Sequence, residues 1–219
     1  MKEKNFFTTH ATKGFTLLEV LASITILSIV AIGMFSFFTN AMKYTTYNQD
    51  KTVAINIARG VLAYMERLDF TDLEQYVESK MNNTDNQSFV YLNASDCLDD
   101  DFPLLGDDEQ TKREACEKAL GPTVNNVKYD ETRIHVFLVP YNDSEALNKL
   151  RESPQKEFLP ASLKEHISKE SEKNLDPEQQ KYLPEMQKRL LKIYVIVRWG
   201  DRVDDSEWLE GVIADETIR

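Results

Sequence analysis

One stretch constrains this chain more than any other: from Phe15 to Phe38 it carries a single charged residue, Glu19, among mostly apolar side chains. As a helix that rises about 1.5 Å per residue, these residues extend over roughly 36 Å, whereas the hydrocarbon core of a bilayer is roughly 30 Å thick. The apolar core of a secretory signal peptide is shorter, at about 7–15 residues. We therefore predict a membrane-spanning helix over residues 15–38.

The composition argues against several classes of protein. With 26 Lys and Arg against 37 Asp and Glu, the 219 residues carry a net charge of -11, which argues against a protein that binds nucleic acid through its phosphates. The hydrophobic fraction of 42% suffices for one core, so we expect one anchor and one domain. Two cysteines are too few for a disulfide-rich scaffold or a four-cysteine zinc site.

Basic residues flank the apolar stretch unequally. Lys2, Lys4 and Lys13 precede it, whereas Lys43 follows it. The positive-inside rule then places the N-terminus in the cytoplasm and the bulk of the chain outside. We expect a single-pass protein of the cytoplasmic membrane with an extracytoplasmic C-terminal domain.

Glu19 requires its own explanation, because a carboxylate in an apolar helix costs about 2.5–3.5 kcal/mol at the middle of a bilayer. One interpretation is that Glu19 lies close enough to the interface to reach water or to be protonated. The other is that the carboxylate pairs with a cation of a partner.

The residues around Glu19 resemble a known signal. Lys13-Gly14-Phe15-Thr16-Leu17-Leu18-Glu19-Val20 follows a short basic leader and opens the apolar run. It is similar to the prepilin signal of type IV pilins and type II secretion pseudopilins, with Gly before Phe and a glutamate four residues after that Phe. The resemblance extends over roughly residues 1–68 and beyond them is one of architecture.

The resemblance implies a role for each of three residues. Prepilin peptidase would cut between Gly14 and Phe15, and the new amino group of Phe15 would be N-methylated. Glu19 would pair with the terminal amine of a neighbouring subunit during filament assembly. Many major pilins carry a proline early in this helix, but the first proline here is Pro103, so we do not expect a kink.

Beyond the apolar run, the pattern predicts an α+β protein, and the resemblance implies a pilin-like architecture. Apolar residues recur three or four apart over one stretch, which indicates an amphipathic helix: Val53, Ile57, Val61, Tyr64 and Leu68. Four segments alternate or cluster apolar residues as strands do: Gln87–Asn93, Thr132–Val139, Lys192–Trp199 and Trp208–Ala214. We expect the long helix to pack on a small antiparallel sheet, with one face of the Lys192–Trp199 strand on the core.

The predicted organisation has four parts. Residues 1–14 form a cleaved cytoplasmic leader, 15–38 the membrane and filament-core helix, and 39–80 its amphipathic continuation. Residues 81–219 form an extracytoplasmic globular domain, in which 143–189 is a helical insertion rich in proline and charge. The insertion is interpreted either as a solvated helical connection or as a module exposed on the filament surface.

Cys97 and Cys116 lie in the predicted exported part, where thiols oxidise, so we predict a disulfide between them. The segment from Asp96 to Glu109 holds seven acids and no base. It is interpreted as a solvated acidic loop, with a calcium site as the alternative, although the DxDxDG pattern is absent.

Catalytic chemistry has little support in the sequence. Neither GxSxG nor HExxH occurs, and His135 and His166 are interpreted as isolated histidines. We therefore expect a protein that is not an enzyme, needs no cofactor and contains no metal site.

These features predict a minor type IV pilin, because the chain is large and carries an insertion. The alternatives are a pseudopilin of a type II secretion or competence DNA-uptake system, and a single-pass anchored adhesin or sensor that never polymerises. The resemblance implies four partners: prepilin peptidase, other pilin subunits through the N-terminal helix, the cytoplasmic membrane before assembly, and the pilus assembly platform. After assembly, the subunit would lie in an extracellular pilus.

Overall fold

The structure is a computed structural model that describes residues 14–83, 88–173 and 176–215. The predicted leader, apart from Gly14, lies outside these residues. The chain divides into two compact units, Met1–Asn48 and Gln49–Arg219. The first contains the whole predicted membrane helix, and the second contains the end of α1, the strands and the remaining helices.

The helices and strands of the described chain alternate irregularly along the sequence. The α-helices are α1 (Leu17–Met65), α2 (Phe70–Asn83), α3 (Glu109–Leu120), α4 (Ser144–Glu152), α5 (Ala161–Ser171) and α6 (Pro177–Gln187), and Ala94–Leu98 and Pro154–Phe158 are short 3-10 helices. The strands are β1 (Val90–Leu92), β2 (Thr123–Val124), β3 (Val127–Lys128), β4 (Ile134–Pro140), β5 (Leu190–Arg198) and β6 (Ser206–Ala214). The predicted α+β class is confirmed.

The main sheet has the order β1-β4-β5-β6, and every neighbouring pair is antiparallel. Val195 on β5 lies opposite Val136 on β4 and Leu209 on β6, which sets the register of the three longer strands. These four strands correspond to the four segments that the sequence predicted. The hairpin of β2 and β3 was not predicted, although its turn residues Asn125 and Asn126 adopt the positive φ that a two-residue hairpin turn needs.

The C-terminal part of α1 packs on one face of this sheet. Its buried residues recur three or four apart, as predicted, and they join apolar side chains of β4 and β5 in one core: Ala54, Ile57, Ala58, Val61 and Met65 from the helix, and Ile134, Val136, Ile193, Val195 and Val197 from the strands. The approach to β6 is close, because a Cβ at Gly211 would lie 2.6 Å from Cδ1 of Leu62. A side chain at position 211 would therefore displace Leu62.

The sequence predicted that the first helix continues to residue 80, but α1 ends at Met65. After Met65 the backbone bonds tighten, and the N–H of Leu68 donates to the Met65 carbonyl only three residues earlier. Asp69 then accepts the Thr71 N–H at 2.9 Å and starts the separate helix α2. The predicted continuation was wrong because the spacing of apolar residues does not reveal that a polar side chain, here Asp69, caps a new helix.

The opposite face of the sheet is also covered. Helices α4 and α5 bury apolar side chains against those of β4 and β5 and form a second core: Ala146, Leu147, Leu150, Leu163 and Ile167 meet Phe137, Val139, Tyr194 and Ile196. Strand β5 is therefore buried on both faces, not on one. Helices α4 and α5 of the insertion therefore form a structural layer and not only a solvated connection, whereas exposure of the insertion on a filament surface stays a prediction.

The predicted disulfide joins Cys97 to Cys116, and both residues are fully buried in the first core. It links the Ala94–Leu98 helix to α3. Each helix starts with a side-chain cap: Asn93 accepts the N–H of Ser95 at 2.8 Å, and Asp108 accepts the N–H of Thr111 at 3.0 Å. The disulfide and the two caps together hold residues 93–120 in place, of which residues 99–108 form no helix or strand.

We expect replacement of both cysteines by serine to destabilise the domain. The disulfide lowers the conformational entropy of the unfolded chain, which stabilises the fold by about 3 kcal/mol for a loop of this length. For a protein of this size, the melting temperature of the full chain in detergent should fall by roughly 6–12 °C. Reductant should lower the wild-type value to that of the variant and leave the variant unchanged. Two titratable thiols in native, oxidised protein would contradict this prediction.

His135 on β4 is a buried imidazole. Its Nδ1 lies 2.9 Å from the Tyr91 hydroxyl, and its ring stacks on Phe158 with 4.2 Å between the ring centres. Burial, together with the positive charge of Arg198, lowers the pKa of His135 to about 4. The folded protein therefore favours the neutral ring.

The sign of this shift predicts a loss of stability in mild acid. As the pH falls from 6.5 towards 4, the unfolded chain gains a proton on His135 that the folded chain does not accept. The free energy of unfolding should thus fall further in wild type than in His135→Phe, by a cumulative difference on the order of 3 kcal/mol. Denaturant titrations at several pH values measure it. Tyr91→Phe, which keeps the imidazole, should retain the wild-type slope, and equal slopes for wild type and His135→Phe would refute the assignment.

Candidate processing and assembly site

Three of the described residues precede the first turn of α1. Gly14, Phe15 and Thr16 lie outside the helix, and all three are exposed in the single chain. Phe15 is 88% exposed, and among the described residues no atom beyond the adjacent ones lies within 4 Å of the position that a Cβ on Gly14 would take. The Gly14–Phe15 peptide bond is therefore accessible and free of helical hydrogen bonding, as a protease requires of its substrate.

Glu19 closes a capping box with Thr16. Its Oε2 accepts the Thr16 N–H at 2.9 Å and the Thr16 hydroxyl at 2.8 Å, while its own N–H donates to that hydroxyl oxygen at 3.3 Å. These bonds satisfy polar groups that a helix N-terminus otherwise leaves unpaired. The capping box was not predicted, although the T-x-x-E spacing of Thr16 and Glu19 signals it.

Three hydroxyl groups of the apolar segment bond within their own helix. The hydroxyls of Ser23, Thr25 and Ser28 donate to backbone carbonyls three or four residues earlier, at 2.7–2.8 Å. Side chains from Phe15 to Phe38 are exposed in the single chain, so this surface is available to lipid or to other helices. Of the described residues, only those of α1 form a helix long and apolar enough to cross a membrane.

Residues 9–35 match the family model described as the prokaryotic N-terminal methylation motif. This chain is a prepilin-like protein. The motif is typical of type IV pilins and pseudopilins, whose roles are generally structural. Comparison with curated proteins and with solved structures gave no significant match.

In this prepilin-like protein the three residues assigned from the signal lie together at the start of α1. Gly14 and Phe15 form the exposed junction, and Glu19 lies one turn into the helix. Cleavage, methylation and the ion pair with a neighbour involve other molecules, so these assignments remain predictions. What the geometry adds is that Glu19 already has hydrogen-bond donors within its own chain.

The acidic segment is largely occupied with contacts inside the domain. Asp99 lies 2.7 Å from Lys80 Nζ and accepts the Tyr76 hydroxyl at 3.2 Å, while Asp100 pairs with Arg113 at 2.8 Å. The hydrogen bond from Lys80 lowers the pKa of Asp99, and burial next to two carboxylates raises the pKa of Tyr76. Together with the Asp108 cap, these contacts give several of the acids structural roles that require no calcium.

His166 is not isolated, contrary to the sequence analysis. It lies on α5 with Glu170 one turn later, and both residues face Glu210 on β6. Lys192 and Tyr194 of β5 complete the cluster, and each contacts Glu170. Burial lowers the pKa of Lys192 and raises that of Tyr194. The four-residue spacing of His166 and Glu170 was visible in the sequence, but their partners lie on strands far along the chain.

We expect co-expression with a prepilin peptidase to remove fourteen residues and leave N-methyl-Phe15. Gly14→Val should block cleavage, because a branched side chain at an otherwise open position obstructs access to the peptide bond. Gly33→Val is the matched control, since Gly33 is equally free of neighbours and lies within the helix. Intact-mass measurement distinguishes the products. A mature chain that begins near Ala41 would instead indicate an ordinary signal peptidase and contradict the assignment.

Proposed function

We propose that this prepilin-like protein is a minor type IV pilin, a structural subunit that prepilin peptidase cleaves and that then enters a pilus. The observation that carries this proposal is the start of α1. An accessible Gly14–Phe15 junction leads within four residues to Glu19, the one charge on an otherwise uncharged apolar helix surface. A helix that only anchors a domain has no need of this combination.

Assembly gives Glu19 a reason to lie among apolar residues. Cleavage would create a positively charged amine on Phe15, and packed helices would exclude water around it. Opposite charges attract strongly at low dielectric, and an unpaired charge there is costly, so the pair would fix the register of neighbouring subunits. A slip by one residue would separate the two groups.

Before assembly, the capping box would provide the Glu19 carboxylate with hydrogen-bond donors. In the single chain, the Thr16 N–H and hydroxyl already donate to the Glu19 carboxylate. This intrachain bonding reduces the cost of holding the charge near the membrane surface until a neighbour arrives. On assembly, Glu19 would exchange its hydrogen bonds to Thr16 for an ion pair with the Phe15 amine of a neighbouring subunit. The difference in free energy between these two states would be the contribution of Glu19 to assembly.

The topology that we propose places the second unit outside the cytoplasm. The excess of lysine before the apolar stretch favours a cytoplasmic N-terminus. The Cys97–Cys116 disulfide agrees with an oxidising compartment. The subunit would therefore be held by the cytoplasmic membrane and then transferred by the pilus assembly platform to an extracellular filament.

A minor role, and not that of the main subunit, is supported by the extra layer on the sheet. Helices α4 and α5 add a second core. Helix α6 follows them along the chain, and none of its described side chains is buried. Such an elaborated domain suits a specialised position more than the repeated unit of a shaft. Its role would be structural and not catalytic.

A pseudopilin is the second candidate, because the matched motif is typical of both classes. In that case the same helix would build the short pseudopilus of a type II secretion or competence DNA-uptake system. The genes that neighbour this one distinguish the two machines. A single-pass adhesin or sensor, the third candidate, would make no use of Glu19 in assembly.

Glu19→Ala tests the proposal where an anchor and a pilin differ. Membrane insertion should persist or improve, because the change removes a costly charge, and cleavage should persist. Incorporation into filaments should fall sharply, because the amine of the neighbour would be buried without its partner. The measurement is the ratio of subunit in sheared filaments to subunit in membranes, in the native host.

Two matched variants separate the ion pair from the helix cap. Thr16→Val removes the capping hydroxyl but keeps the carboxylate, so it should assemble nearly as wild type does. Ser23→Ala, one turn further along, should have no effect. An unchanged ratio for Glu19→Ala would eliminate the ion pair and favour the anchor, whereas an equal defect in Thr16→Val would assign the effect to the cap.

A further inference from the structure

The cluster on the second face of the sheet brings three metal-ligating side chains together. His166 and Glu170 lie one turn apart on α5, and Glu210 faces them from β6. His166 Nε2 lies 2.6 Å from Glu210 Oε2 and 3.8 Å from Glu170 Oε2. One ligand atom from each residue lies within 4.8 Å of the other two.

We propose that His166, Glu170 and Glu210 form a binding site for one divalent transition-metal ion, with zinc as the best fit. The site lies in the extracytoplasmic domain and is independent of the N-terminal processing signal. It therefore adds a ligand-binding property to the subunit that the prepilin-like features do not imply.

The spacing of the ligand atoms suits zinc. Zinc binds nitrogen and carboxylate oxygen at about 2.0–2.2 Å, so the ligand atoms of a tetrahedral site lie roughly 3.3–3.6 Å apart. The observed separations lie on both sides of this range. Small side-chain rotations bring the atoms into place, because His166 and Glu210 are each more than a third exposed and can move.

Neighbouring side chains already orient the least mobile ligand. Glu170 is largely buried; its Oε1 contacts the Lys192 ammonium, and its Oε2 accepts the Tyr194 hydroxyl at 2.5 Å. Ligating carboxylates in metal sites are commonly held in this way by second hydrogen bonds. The imidazole of His166 packs beside Trp208, with 5.0 Å between the ring centres, which restricts its rotation.

The site has room for a fourth ligand and a path for entry. A cavity of about 330 Å³ opens beside the cluster, and Asn142 and Ser144 line it together with His166, Glu170 and Glu210. A water molecule fits readily in this volume and would complete a four-coordinate ion. Because the cavity opens to solvent, an ion can reach the site without unfolding of the domain.

The ligand set favours a transition metal over calcium. Calcium takes six to eight oxygen ligands, whereas this site offers one imidazole nitrogen and two carboxylates. Lys192 compensates one of the two carboxylates. Lys169 and Lys173 also line the cavity, and Lys169 pairs with Glu165 outside the cluster. Without metal, the His166–Glu210 hydrogen bond and the Lys192–Glu170 ion pair hold the same residues, so folding does not depend on the ion.

The test uses the full chain in detergent, purified through a tag that contains no histidine and stripped with a chelator. Zinc chloride is titrated in competition with a chromophoric chelator, and cobalt(II) chloride is added separately as a spectroscopic probe. We expect one zinc ion per chain, a rise in melting temperature with zinc, and the visible absorption of four-coordinate cobalt(II).

Variants assign the site to its residues. His166→Ala and Glu210→Gln should each weaken zinc binding by at least about tenfold, and Tyr194→Phe, which retains every ligand, should weaken it less. His135→Phe and Glu145→Gln replace an imidazole and a carboxylate outside the cluster and should bind as wild type does. Melting curves without zinc verify that each variant is folded. The proposal is overturned if folded wild type binds less than one ion, if both ligand variants bind as wild type does, or if calcium binds in preference to zinc.

Discussion

Strand β5 needs apolar cover on both faces, and much of the domain is arranged to provide it. Its alternate side chains enter two separate cores, with Ile193, Val195 and Val197 on one side and Tyr194 and Ile196 on the other. On the first side α1 supplies the cover, and on the second side α4 and α5 do. Burial of both faces removes more apolar area from water than a single covered face would, which favours this order of layers.

Much of this architecture could be predicted from the pattern of apolar residues. The long apolar helix appears as a nearly uninterrupted apolar run, and its amphipathic continuation and the strands of the main sheet appear as apolar repeats or clusters. The second covered face was harder to predict, because alternation of Tyr194 with apolar neighbours resembles a half-exposed strand. The break after Met65 depends on a capping side chain, Asp69, and spacing of apolar residues does not detect it.

The two candidate sites differ in how far apart their residues lie along the sequence. Gly14, Phe15 and Glu19 form a linear signal within six residues, so the sequence alone was enough to propose them as a site. The cluster around His166 joins residues that lie 44 positions apart, because the fold brings β6 beside α5. Tertiary structure was needed to find it, and only the His166–Glu170 spacing could have suggested where to look.

The second layer also determines where this chain tolerates change. Substitution or insertion within α4 or α5 would disturb a packed core, so those segments are expected to vary only conservatively. Helix α6 follows them with its described side chains outside either core. Exposed segments accept insertions far better than packed ones. Sequence drift and an engineered epitope or fluorophore would therefore be accommodated at α6.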